Sequence, residues 1–159
     1  DTSNPRVLRF RTFSKAYGMA GQRVGYAIAH RELIGGLNKI RNHFGLNRVA
    51  QTGALVSLQD EAFLTEVLRL NSEARERVMQ LAAEHKLYAE PSSTNFVAVD
   101  MGSNERALAM ISALADEEVF MRMPGVAPLN NCVRVGLCRA EDFDFFKRAF
   151  EAALAATAV

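Results

Sequence analysis

A lysine, two hydroxyls and an arginine stand close together near the start of this chain, as Thr12, Ser14, Lys15 and Arg23. An apolar-rich run, Val7 to Phe13, leads into them. Gly18, Gly21 and Gly25 punctuate them, and a second apolar run, Val24 to Ala29, follows. The pattern reads as strand, polar loop, strand, with the polar groups collected at the loop. A lysine amine forms a Schiff base with a carbonyl when its ammonium form is disfavoured. A planar guanidinium binds a phosphate, by two bonds where geometry allows. Thr12 and Ser14 add hydroxyl donors, and the glycines let the backbone turn tightly or approach a ligand closely. Pyridoxal 5′-phosphate (PLP) is the commonest cofactor that a lysine holds in this way, and it carries a phosphate. A Ser-Lys pair alone would mean only a surface coincidence, and loop glycines only a turn. The whole string together points to a cofactor loop.

The surrounding elements follow from periodicity. Val7 to Phe13 and Val24 to Ala29 are short, apolar and bounded by turn signals, so they are expected as buried, central strands. Arg31 to Arg41 is expected as a helix with Leu33, Ile34, Leu37 and Ile40 on one face. Asn42 to Leu46 connects it to a second helix, N-capped by Asn47 and running through Leu58. Asp60 punctuates, and a longer helix then runs to about His85, with an apolar stripe of Phe63, Val67, Leu70, Ala74, Val78 and Leu81. The pattern then changes to a strand Phe96 to Asp100, a helix Glu105 to Ala115, a strand Val119 to Arg122 and a loop Pro124 to Asn131. A strand Cys132 to Cys138 and a closing helix Glu141 to Ala156 follow. That order suggests a small α/β unit with antiparallel pairing. A domain boundary is expected within the long helix or just after it, near 72–86, giving parts 1–75 and 76–159.

Composition narrows the classes. The 159 residues are 49% hydrophobic with a formal net charge of +1, enough for a real core and no electrostatic footprint for nucleic acid or an anionic membrane. Arg6, Arg9 and Arg11 make a short basic alternation, expected as a solvated edge. No apolar run approaches the roughly 20 residues of a membrane span. Cys132 and Cys138 lack metal spacing and form no disulfide framework, so a reduced, cytoplasmic setting is the default and no metal site is expected. Asp1 to Pro5 reads as a loop between elements, and the chain is expected to be a fragment.

The string Thr12, Ser14, Lys15, Gly21, Arg23, Gly25 resembles the lysine segment of fold-type I PLP enzymes, in particular the histidinol-phosphate aminotransferase-like branch. Its pattern is Thr-x-Ser-Lys-x-x-x-x-x-Gly-x-Arg-x-Gly. Gln22 departs from the usual leucine. The stretch Phe44 to Leu58 is similar to the family's Asn-x-x-x-Gln-x-x-Ala helix start. Pro91 to Phe96 resembles its Pro-Ser-x-x-Asn-Phe strand entry, Val119 to Arg122 its Val-x-Val-Arg strand, and Cys132 to Val135 its Cys-Leu-Arg-Val strand. The resemblance implies the end of a large PLP-binding domain, 1–75, followed by a small α/β domain, 76–159. It implies that Lys15 holds PLP and later moves protons, and that Thr12, Ser14 and Arg23 bind the cofactor phosphate. It also implies that Arg134, with Arg122 as a second cation, holds the substrate's anionic group. The N-terminal half of such enzymes supplies an aromatic over the ring, an aspartate at the pyridine nitrogen and a phosphate loop. None of these can be placed here.

The function this implies is a PLP-dependent aminotransferase. It would pass an amino group from an amino acid or histidinol phosphate to a 2-oxo acid, as a cytoplasmic homodimer in the full-length parent, with the isolated fragment inactive. Arg134 sits in an apolar strand where a charge needs a ligand, an acid such as Asp142, or a path along which it snorkels to solvent. The departures at Gly136 to Arg139 and the apolar loop Pro124 to Pro128 favour a carboxylate-bearing donor, with histidinol phosphate close behind. The alternatives are a PLP-dependent decarboxylase of the same fold and an inactive truncated α/β fragment. Gly18, Gly21 and Gly25 do not make the dinucleotide pattern.

Overall fold

The computed structural model describes residues 2–157. In chain order the elements are β1 (Leu8–Thr12), a 3-10 turn (Ala20–Gln22), β2 (Gly25–Ala29), α1 (Arg31–Ile40), α2 (Arg48–Gln59) and α3 (Glu61–Glu84). There follow β3 (Phe96–Asp100), α4 (Asn104–Asp116), β4 (Cys132–Gly136), a second 3-10 turn (Ala140–Asp142) and α5 (Phe143–Ala156). The chain is mixed α/β. It divides into two compact units, Asp1–Leu68 and Arg69–Val159, and both this division and the expected one at 75/76 fall inside α3.

In the first unit, β1 and β2 pair antiparallel with Leu8 opposite Ala29 and Thr12 opposite Gly25. The ribbon is not buried as the apolar runs suggest. Four of the five β1 residues are exposed, Phe10 by 67%. A two-stranded ribbon has two faces and two edges, and the unit buries only its loop end, where Phe13 and Val24 pack on Ala50 and Ala54 of α2. The helices begin where the caps are. Asn47 Oδ1 accepts from Ala50 N at 2.7 Å, and Asp60 Oδ1 from Phe63 N at 3.0 Å. Ile40, at the end of the expected α1 stripe, is exposed, as is Phe63 in α3.

The second unit has the larger core. β3 and β4 pair antiparallel with Phe96 opposite Gly136 and Asp100 opposite Cys132. Alternation puts Val97, Val99, Val133 and Val135 on one face, all buried with Met110 and Leu114 of α4 and Phe146 and Phe150 of α5. Val78 and Leu81, from the expected α3 stripe, join that core. Ser103 starts α4 by accepting from Arg106 N.

Val119 to Arg122 is not a strand. Only Arg122 pairs, as an isolated bridge to Arg134. Glu118 has φ 62°, and the Val119 N–H still donates to Leu114 O of the preceding helix at 2.8 Å. Pro124 has no N–H to carry pairing further, so the run is left with one rung. β4 likewise stops at Gly136, short of Cys138.

Candidate active site

In the first unit, residues 14–23 form a hairpin loop. Phe13 N–H donates to Val24 O at 3.3 Å, closing the ladder, and Met19 N–H returns to Phe13 O at 2.9 Å. Gly18 N–H donates to Lys15 O at 2.9 Å with φ +66°, a left-handed turn that a side chain would strain. Tyr17 lies against the Phe13 ring at 4.9 Å, and Ser57 Oγ of α2 donates to Met19 Sδ at 3.2 Å. The loop is therefore tied down by packing beneath it.

The four expected residues share this loop or its edge. Ser14 N–H donates to Thr12 Oγ1 at 3.0 Å, which leaves both hydroxyl protons uncommitted among the described residues. Lys15 is exposed, and its Nζ has no hydrogen bond or ion pair among the described residues. Arg23 closes the 3-10 turn at φ 54° and folds back, Nη1 donating to Ala20 O at 2.6 Å. A non-glycine residue in that region costs about 1–2 kcal/mol, the kind of strain kept where a side chain must be aimed. Gly25 lets β1 and β2 close: a Cβ there would stand 2.7 Å from the Arg11 carbonyl oxygen. An amine, two hydroxyls and a guanidinium with one carbonyl acceptor form a donor set that fits a ligand bearing a carbonyl and a phosphate.

The second unit holds the other two. Arg134 is half-buried, its N–H donates to Arg122 O at 2.7 Å, and the bridge puts both side chains on the sheet face opposite the valine core. Neither arginine has an acid within 4.0 Å among the described residues. Asp142, the alternative partner for Arg134, instead takes Arg139 Nε at 3.0 Å. Phe96, which in the sequence only closes a strand-entry motif, lays its ring centroid 4.1 Å from the Arg134 guanidinium carbon. Gly136, opposite Phe96, and Ala98, opposite Arg134, are small and leave that face open to the contact.

The Ser92 and Thr94 hydroxyls face an open cavity of about 440 Å³ but are spent on the strand entry. Ser92 Oγ donates to Phe96 O at 2.7 Å and accepts from Thr94 N at 3.0 Å. Burial pushes both the Cys132 and Cys138 thiols up, which disfavours the thiolate form that a nucleophile needs.

The family model described as aminotransferase class I and II matches residues 1–146. The chain belongs to this family. Histidinol-phosphate aminotransferase 2 of Ralstonia nicotianae is 40% identical over 152 residues, covering 95% of this chain and 41% of that protein. The crystal structure of histidinol-phosphate aminotransferase from Sinorhizobium meliloti, a complex with PLP, superposes with a TM-score of 0.93 at 40% identity. It covers 98% of this chain and 43% of that one. L-threonine-O-3-phosphate decarboxylase from Porphyromonas gingivalis shares the fold with a TM-score of 0.76 at 18% identity, covering 96% and 48%. The chain thus spans about two fifths of the length of the curated relative it matches.

Proposed function

We propose that the whole protein is a PLP-dependent aminotransferase whose donor carries an anionic group, and that this chain contributes the lysine loop and the donor's anion site. The observation that carries the reading is the loop of residues 14–23, which collects Ser14, Lys15 and Arg23 beside Thr12 with Lys15 Nζ open to a ligand. Thr12, Ser14 and Arg23 would hold the cofactor phosphate, and Lys15 Nζ would bind its carbonyl carbon. PLP, when bound, supplies the electron sink. Lys15 Nζ, once displaced by the donor's amine, would take a proton from the donor's reacting carbon and return it on the other side of the transfer.

Arg134 and Arg122 would hold the anion. Like charges on paired positions of a sheet repel, and a shared anion with two charges relieves that repulsion. The bridge between them therefore favours a phosphorylated donor such as histidinol phosphate, ahead of the carboxylate-bearing amino acid favoured by the loop composition. The acceptor is a 2-oxo acid. We assign 1–75 to the large cofactor domain and 76–159 to the small domain. We take the whole protein to be a cytoplasmic homodimer. The first unit leaves Phe10, Phe44 and Val49 exposed, apolar surface that further chain of the same protomer or of its partner would bury. Because the ring-stacking aromatic, the aspartate and the phosphate loop of such enzymes cannot be placed in this sequence, the 159 residues alone are expected to turn over no substrate.

The experiment uses the whole protein with added PLP. The visible absorbance of bound PLP and turnover should both be lost in Lys15→Ala, and histidinol phosphate should yield the keto product. Wild-type turnover in that variant sinks the assignment; carbon dioxide released from a phosphorylated amino acid that keeps its carboxylate, such as L-threonine-O-3-phosphate, with no keto product from histidinol phosphate, favours the decarboxylase.

A further inference from the structure

We infer that Phe96 positions Arg134, which rests on the reading of Arg134 as the donor's anion anchor. The register makes the contact. Phe96 stands opposite Gly136 and Arg134 opposite Ala98, so the two side chains are diagonal neighbours on one sheet face. Neither intervening residue fills that face, and a Cβ added at Gly136 would meet nothing within 4 Å. The ring is free to lie towards Arg134, and the guanidinium carbon rests 4.1 Å from its centroid.

That contact does what an acid would otherwise do. A carboxylate partner would neutralise Arg134 and occupy its N–H groups. An aromatic face attracts the cation through its quadrupole and takes none of the edge N–H groups that a carboxylate or phosphate needs. It also restricts a side chain of many rotamers before the ligand arrives, which lowers the ordering cost on binding. The β4 backbone beneath is held by the Arg134 N–H bond to Arg122 O. Phe96 touches no reacting atom on this account; it acts through Arg134.

The test titrates inorganic phosphate, and separately succinate, into the whole protein saturated with PLP, by calorimetry. Phe96→Leu and Phe96→Tyr are compared in wild-type and Arg134→Ala backgrounds. Phe96→Leu should weaken anion binding about tenfold, about 1.4 kcal/mol, while Phe96→Tyr stays within about twofold. Once Arg134 is alanine, Phe96→Leu should change nothing further, and the absorbance of bound PLP should be the same in every variant. Wild-type affinity in Phe96→Leu, or an equal loss with and without Arg134, overturns the positioning role. Should Phe96→Leu fail to fold, Phe96→Met replaces it; failure of both shows a ring needed for β3 itself and also overturns the role. A different result, unchanged affinity in Arg134→Ala alone or no binding of either anion to the wild type, refutes the anchor reading instead.

Discussion

Replacing Gly25 by alanine tests whether the closeness of β1 and β2 builds the lysine loop. The added Cβ would lie 2.7 Å from the Arg11 carbonyl oxygen, where ordinary contact begins at 3.4 Å. The obstacle is backbone, so no side chain can turn aside; the strands must part by several tenths of an ångström. Overpacking of this kind costs about 1–3 kcal/mol, offset by about 0.4–1 kcal/mol from the less flexible unfolded chain. A net loss of about 1–2 kcal/mol is expected. The displacement falls at the Thr12–Gly25 pair, between the hydroxyls and Arg23, so PLP affinity should fall with stability. The assay is the urea midpoint of the whole protein together with a PLP titration followed by absorbance. Gly35→Ala is the control. It lies in α1 with nothing within 4 Å of the new Cβ, and should stabilise by about 0.5–1 kcal/mol. A Gly25→Ala protein as stable as wild type with unchanged PLP affinity refutes the reasoning, as does an equal loss in Gly35→Ala.

Three further outcomes are expected. Arg23→Ala should weaken PLP binding at least about tenfold, since a charge-assisted bond to phosphate is worth roughly 1.5–3 kcal/mol; unchanged affinity would make the arginine structural. Arg134→Ala should cost about 2–3 kcal/mol in kcat/KM for any anionic donor, and Arg122→Ala should cost comparably only with a phosphorylated one, so equal behaviour of Arg122→Ala towards both donor types would remove its phosphate role. Lys147 Nζ lies 3.1 Å from Glu84 Oε2, and hydrogen bonding and charge lower the Glu84 pKa from 4.5 and raise that of Lys147 from 10.5. The pair's contribution is then full at neutral pH, lost as pH falls through the lowered Glu84 value and lost again as it rises through the raised Lys147 value. Lys147→Met should reduce the acid and alkaline fall in Tm, and an identical Tm–pH profile would show the pair to be without effect.

Local chemistry makes much of this chain legible in its sequence. Asn47 and Asp60 mark helix starts because their short side chains reach the first free N–H groups, a bond made within three residues. The short apolar runs at Phe96 to Asp100 and Cys132 to Val135, bounded by turn signals, place strands because roughly four to six apolar residues are too few for a buried helix. The spacing from Thr12 to Gly25 was enough to expect an amine, two hydroxyls and a guanidinium together, because one short loop and its edge carry all four groups.

Tertiary structure decided what depends on neighbours distant in sequence. Val7 to Phe13 reads as a buried strand because composition records what a segment can bury, and not what is present to cover it; Phe10 stands exposed. Val119 to Arg122 has strand composition, yet pairing is a property of two chains at once, and a helix-end hydrogen bond on one side and a proline on the other leave it a single rung. Asp142 looked available to Arg134 until Arg139 took it. The Phe96 ring against Arg134 depends on the offset of β3 against β4, and a slip of one residue would send one of the two side chains to the opposite face. The sequence by itself determined which groups could do chemistry and the local turns that present them; tertiary contacts, strand register among them, decided which side chains those groups meet.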